Sequence, residues 1–182
     1  MKATPLALPE VVLLEPKIYA DSRGHFYESY NARTFAEAVG HEIGFVQDNH
    51  SLSQAGVVRG LHYQLAPAPQ GKLVRVIAGE IFDVAVDVRK SSPSYGRWVA
   101  ERLSADNKRQ LWIPAGFAHG FMALSDGTEV LYKATDFYHR AAEQAIRWDD
   151  PQLAIDWPMS VEPVLSDKDA IAPTFAEAVT FD

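Results

Sequence analysis

Two histidines stand among residues able to handle protons and anions. His62 sits in "GVVRGLHYQ" (56–64), three residues after Arg59, and "PQGK" then delivers Lys72 at the start of an apolar run. His119 sits in "IPAGFAHGF" (113–121), behind a Pro-x-Gly turn. Three chemistries compete for them: metal ligation, core filling, and acid–base work in a pocket. A metal needs several His or carboxylate ligands converging from neighbouring strands. Neither segment has a His-x-His pair or a clear carboxylate partner, and the chain has no cysteine, so no metal is expected. For His25, His41, His50 and His139 the structural reading holds. His62 differs by its company. A histidine in a cation-rich pocket suits an anionic substrate and proton transfer.

The elements that must position these groups are strands. Pro and Gly recur as punctuation between short apolar runs, the pattern of many strands joined by turns. "IFDVAVDV" (81–88) is the clearest: Phe82, Val84, Val86 and Val88 share one face, while Ile81, Asp83, Ala85 and Asp87 make a mixed one. "KLVRVIAG", "FVQDNHSLS" and "EVLYKATDFY" read the same way. In the last, Tyr132 and Tyr138 have equal parity, so an unbroken strand would turn both to one face. Gln47 and Asn49 likewise share a face, where two amides suit a polar ligand and the bland account is a solvated strand. Gly60 in an extended run predicts a bulge that re-aims its neighbours. One helix is expected at "ARTFAEAVG", with Asn31 as its cap and Gly40 closing it.

Together these predict an all-β chain, an antiparallel sandwich or jelly roll. Its 182 residues suit a single domain (1–182), with the segment after "WDDP" wrapping the barrel. A net charge of −7 argues against a general nucleic-acid binder, though a local basic pocket is compatible with it. No apolar run approaches a membrane span, and Pro5, Pro9 and Glu10 break any secretory apolar core at the start. A chain free of cysteine fits a reducing, cytoplasmic setting.

The ordered segments "DSRGHFYESYN", "FVQDNHSLSQAGVVRGLHYQ", "PQGKLVRVIAGEIFDVAVDVRKSSPSYGRW", "LWIPAGFAHGFMAL", "LYKATDFY", "RWDDPQLAIDWP" and "LSDKDAIAP" closely resemble the dTDP-4-dehydrorhamnose 3,5-epimerases. That resemblance runs from about residue 15 to residue 173. It implies a cupin-like jelly roll, a dTDP-4-keto-6-deoxyhexose substrate, no cofactor, and inversion at C3 and C5 beside the C4 ketone. By resemblance His62 is the general base, Tyr132 the proton donor, Asp169 the carboxylate supporting the histidine, and Lys72 the cation near the enolate oxygen. Substrate-binding positions fall on Arg23, Glu28, Gln47, Asn49, Arg59, His119, Tyr138, Glu143 and Lys168. The family forms homodimers in which N-terminal residues complete the partner's site, which implies that Arg23 and Glu28 act across the interface. Ala141 and Ala145 depart from the family's turn residues around Glu143. Three rivals stay open: a single-centre epimerase of another deoxysugar pathway, a metal-dependent cupin oxygenase, and a non-catalytic sugar-nucleotide binder.

Overall fold

Short alternating runs bury one face per strand only if strands pair and two sheets close on each other. The computed structural model describes residues 1–159 and 161–182. In chain order, β1 (Lys2–Pro5) pairs with β2 (Val12–Glu15), and β3 (Tyr19–Asp21) with β4 (Gly24–Phe26) forms a separate two-stranded hairpin. The helix α1 (Ala32–Val39) follows, then β5 (Gln47–Ser53), β6 (Val58–Gln64), β7 (Lys72–Ala78) and β8 (Glu80–Asp87). Next come β9 (Trp98–Ser104), β10 (Gln110–Ile113), β11 (Phe117–Ala123), β12 (Thr128–Ala134), β13 (Glu143–Ala145) and the short helix α2 (Asp167–Ala170).

Two antiparallel sheets face each other, a six-stranded one ordered β1-β2-β10-β7-β12-β5 and a five-stranded one ordered β13-β6-β11-β8-β9. This is the expected cupin-like jelly roll. Between them lies a core that includes Leu13, Val74, Val76, Ile81, Ala85, Leu103, Leu111, Phe121 and Val130. α1 covers part of the outer face of the six-stranded sheet. Asn31 Oδ1 accepts from the backbone N–H groups of Arg33 and Thr34, and Gly40 closes the helix at φ 86°, as the sequence predicts. Phe35 is thereby buried against Trp112, Tyr30 and Phe45.

Both faces of "IFDVAVDV" are buried. Val84, Val86 and Val88 lie beneath Leu153, Trp157 and Phe175, which the C-terminal segment lays over the five-stranded sheet. Backbone bridges from Val164 to Val57 and from Phe181 to Arg89 hold that segment down. On the inner face Asp83 and Asp87 are fully buried, each with polar partners: His119 for Asp83, and Arg89, Ser92 and Ser94 for Asp87. No helix among the described residues is long and apolar enough to cross a membrane.

The bulge at Gly60 is present. In the β6–β11 pairing His62 stands opposite His119 and Arg59 opposite Phe121, with a shift of register between. One extra residue on β6 therefore flips parity, so Arg59 and His62 face inward together although three residues apart. Gly60 has φ +117°, and a Cβ there would lie 2.6 Å from Gly120 Cα and from the His119 carbonyl oxygen. Gly60→Ala combines a conformation that L residues avoid with a backbone clash. We expect a loss of about 2–4 kcal/mol in chemical denaturation. A loss below about 0.5 kcal/mol, the range of neutral surface changes, would show that the bulge does not require glycine.

Candidate active site

Where the two sheets part at one end of the sandwich, a cavity of about 460 Å³ opens. From the five-stranded sheet come Arg59, His62, His119 and Phe121, and from the six-stranded sheet Ser51, Lys72 and Tyr132. Val164, Leu165, Ser166 and Asp169 of the C-terminal segment form the remaining wall. The base and acid candidates thus reach one space from opposite sheets. A smaller recess shares His62, Lys72 and Tyr132 and runs on to Gln64, Gln70, Tyr138 and Glu143.

Each inward histidine acquires a carboxylate partner, which the local sequence does not reveal. His62 Nε2 is 2.5 Å from Asp169 Oδ1, a residue 107 positions away. Asp169 lies at the C-terminal side of α2, whose cap Ser166 accepts the Asp169 backbone N–H and donates its hydroxyl to Oδ2 at 2.9 Å. Burial pushes the Asp169 pKa up, but the hydrogen bond and charge of His62 with the Ser166 hydroxyl outweigh it, leaving it below the ordinary value. Asp169 is therefore an ionised acceptor. The shared proton sits on His62 Nε2, and Nδ1 is left as the basic nitrogen.

His119 Nε2 is 2.7 Å from Asp83 Oδ1, with both side chains buried. Burial lowers the His119 pKa, a drop that the charge and hydrogen bond of Asp83 only partly oppose. Lys72 is buried beside them. Its Nζ donates to the His62 carbonyl at 3.3 Å and stands 5.9 Å from the centre of the Tyr132 ring. Burial brings its pKa down to about 8, against the pull of Asp83 and Glu143 toward the charged form. Tyr132 moves the other way: burial raises its pKa, so the phenol keeps its proton.

Arg59 is oriented by Ser53, whose Oγ accepts from Nε at 3.1 Å, and by the Leu52 carbonyl, which accepts from Nη2 at 3.1 Å. Gln64 is occupied structurally, its amide joining Ala68, Phe137 and His139 backbone groups. Tyr138 departs from the expected strand. β12 ends at Ala134, and Tyr138 stands in the loop beyond, its hydroxyl donating to Glu143 Oε2 at 3.0 Å. Parity therefore does not relate the two tyrosines, yet both reach the smaller recess. Glu143, on β13, also binds Lys168. Burial raises its pKa, but the hydrogen bonds from Lys168 and Tyr138 prevail and lower it. Gln47 and Asn49 do share a face, and Gln47 Oε1 accepts the Tyr138 backbone N–H at 2.9 Å.

Arg23 and Glu28 are not brought to the cavity of their own chain. Arg23 sits on the β3–β4 hairpin, held 2.6 Å from Asp21, and both Arg23 and Glu28 are exposed. No group of three or more His, Asp or Glu residues converges as a metal cage among the described residues. Residues to which the sequence alone assigns no role also contribute: Asp83, Ser51, Ser53, Ser166 and Phe121. Two carry a signal. Asp83 is an acid on an inward strand face, and "SDKD" is a Ser-x-x-Asp helix start.

The family model for dTDP-4-dehydrorhamnose 3,5-epimerase matches residues 5–177. The chain is 60% identical to the dTDP-4-dehydrorhamnose 3,5-epimerase of Pseudomonas aeruginosa, covering 100% of this chain and 99% of that one. The solved Legionella pneumophila dTDP-6-deoxy-D-glucose-3,5-epimerase, in complex with dTDP-4-keto-L-rhamnose, is 53% identical with a TM-score of 0.93, over 97% of this chain and 93% of that one. A 3'-monoepimerase from Streptomyces bikiniensis, in complex with dTDP-quinovose, is 36% identical with a TM-score of 0.89, over 94% and 87%.

The depressed pKa of Lys72 has a measurable consequence. Below pH about 8 the ammonium is charged, and above it the charge is lost, whereas an ordinary lysine keeps its charge to about 10.4. Binding in the cavity of a small anion whose own charge is constant over this range, such as sulfate, should weaken about tenfold between pH 7 and 9.5, the loss of one charge-assisted hydrogen bond. Lys72→Met should bind weakly and without that pH dependence. A titration calorimetry series that stays flat in the wild type would remove Lys72 from anion binding.

Proposed function

The chain belongs to the dTDP-4-dehydrorhamnose 3,5-epimerase family, and from that premise we propose how its cavity divides the work. It is an isomerase that inverts C3 and C5 of dTDP-4-dehydro-6-deoxy-D-glucose, giving dTDP-4-dehydro-L-rhamnose. Hydrogens at these carbons are acidic because they flank the C4 ketone. His62 takes one through Nδ1, and the C–H electron pair moves onto the C4 oxygen as an enolate. Lys72, as an ammonium, stabilises that oxygen from a fixed, buried position, at the point where negative charge develops. Tyr132 then delivers its phenolic proton to the opposite face of the same carbon. Its proton is replaced, and that on His62 is lost, by exchange with solvent before the second centre reacts.

The observation that carries this reading is the placement of His62 and Tyr132 on facing sheets around one cavity. A ring held between them offers one face to each. Inversion needs two groups for that reason, and a base alone would return the proton where it found it. Asp169 keeps His62 in the basic tautomer and balances the imidazolium that forms. Arg59 suits the diphosphate, as a forked donor fixed on one side by Ser53. Tyr138, Gln47, Asn49, Glu143 and Lys168 form the polar end suited to the nucleoside, with His119 on the sugar. Neither a cofactor nor a metal is assigned a step.

Arg23 and Glu28 enter the site in a homodimer, where the hairpin of one copy completes the cavity of the other. The hairpin's exposed Tyr19 and Phe26, 56% and 72% accessible, support such docking. We take residues 1–182 as one working unit and place the enzyme in the cytoplasm, where nucleotide sugars are handled.

Two experiments test this reading. In heavy water, His62→Ala should abolish inversion and exchange at C3 and C5, whereas Tyr132→Phe should lose inversion but retain exchange with the original configuration. NMR of the product reads both carbons; exchange surviving in the histidine variant and lost in the tyrosine variant would reverse the roles, and reaction at one carbon only would point to a single-centre epimerase. For the shared site, Arg23→Ala and His62→Ala subunits, each inactive or nearly so, should regain about a quarter of wild-type turnover when mixed and reassembled, since one of the two sites in each mixed dimer is intact and random reassembly makes about half the dimers mixed. Additive residual activity alone would place Arg23 in its own chain's site or outside it.

A further inference from the structure

Along β5 an uncharged polar residue recurs at every second position: Gln47, Asn49, Ser51 and Ser53. Alternation turns all four to one face. Three have partners there: Gln47 donates to Asn49 Oδ1 at 3.1 Å, and Ser53 Oγ accepts from Arg59. Ser51 differs. Its side chain lines the central cavity, while its Oγ is buried with no hydrogen-bond partner among the described residues. A buried hydroxyl left unpaired costs stability, and native proteins keep few of them. The hydroxyl turns about one bond among three staggered positions, so a modest rotation aims it at whatever fills the cavity.

Its place in the register says what that would be. On the neighbouring strand Asn49 stands opposite Tyr132, Ser51 opposite Val130, and Ser53 opposite Thr128. Ser51 is therefore one strand repeat, about 6.8 Å, from the level of Tyr132. It is the same step from Ser53, which holds Arg59. We propose that Ser51 is a substrate-recognition residue whose hydroxyl donates to an oxygen of the hexose, between the reacting carbons at Tyr132 and the diphosphate at Arg59. This rests on the epimerase reading of the cavity. Ser51 moves no proton; it registers the sugar so that C3 and C5 meet His62 and Tyr132.

Ser51→Ala tests this because the two effects of the change have opposite signs. The free protein loses an unpaired buried hydroxyl, so its thermal midpoint should hold or rise. The complex loses a hydrogen bond, so KM for the sugar nucleotide should rise roughly three- to tenfold, with a smaller change in kcat. Affinity for dTDP, which lacks the hexose, should not change. A variant with wild-type KM, or one in which dTDP and the sugar nucleotide weaken equally, overturns the contact to the sugar. A thermal midpoint lowered by several degrees would make Ser51 a structural residue instead. The wild type, assayed alongside for exchange at C3 and C5, separates the two failures. Absence of exchange there would overturn the epimerase reading and the Ser51 role with it, whereas normal exchange with an unchanged variant KM would overturn the Ser51 role alone.

Discussion

The bond between His62 and Asp169 joins two parts of the molecule that would otherwise have separate purposes. His62 belongs to the inner surface of the five-stranded sheet, and Asp169 to the segment that covers the outside of that sheet and returns to the cavity's rim. An ionised carboxylate buried to that degree needs partners, and it has two: the imidazole and the Ser166 hydroxyl of its own helix cap. Capping of α2 is thus not a local matter. The Ser166 bond that starts the helix also sets the carboxylate, which sets the tautomer of the histidine, which decides where a proton can be accepted.

Around that bond the interior is arranged as a balance of burial against pairing. Lys72, His119 and Asp83 are all withdrawn from solvent; burial lowers the pKa of Lys72 and of His119, and the Asp83 charge opposes both shifts. Asp83 and Glu143 return part of what burial removes from Lys72, so the ammonium survives to about pH 8. The same poor solvation that lowers Lys72 raises Tyr132, and the two shifts suit opposite duties. In the mechanism proposed above, one group is a cation facing a developing oxyanion and the other keeps its proton until asked for it. A single low-dielectric cavity sets both.

Much of this is legible in the residues. Period-two alternation marks the strands, Gly60 the bulge, and Asn31 with Gly40 the helix and its limits, because each depends on local geometry. The cavity's polar roster follows from the resemblance rather than from spacing. What local reading misses is long-range. His62 looks unpartnered in sequence because Asp169 is 107 residues away, and what covers the valine face of "IFDVAVDV" cannot be read locally because it comes from the chain's last third. Parity sets Tyr138 on a strand that in fact stops four residues earlier. Arg23 and Glu28 can be matched by position but not located, since the β3–β4 hairpin that carries Arg23 pairs with neither main sheet.

The late position of Asp169 also bears on how the protein is made. Ribosomes build chains from the amino end, and domains begin to fold as they emerge. Both sheets through β12 are available before the wrap exists, so for a time the valines of β8's outer face stand bare. His62 has no carboxylate during that interval. A nascent chain can therefore hold a nearly finished barrel that is inert and sticky. Competence and concealment of that surface arrive together, with the same stretch of about thirty residues. Maturation is in this sense a single late event, and a chaperone that shields the bare sheet would act in the window before it closes.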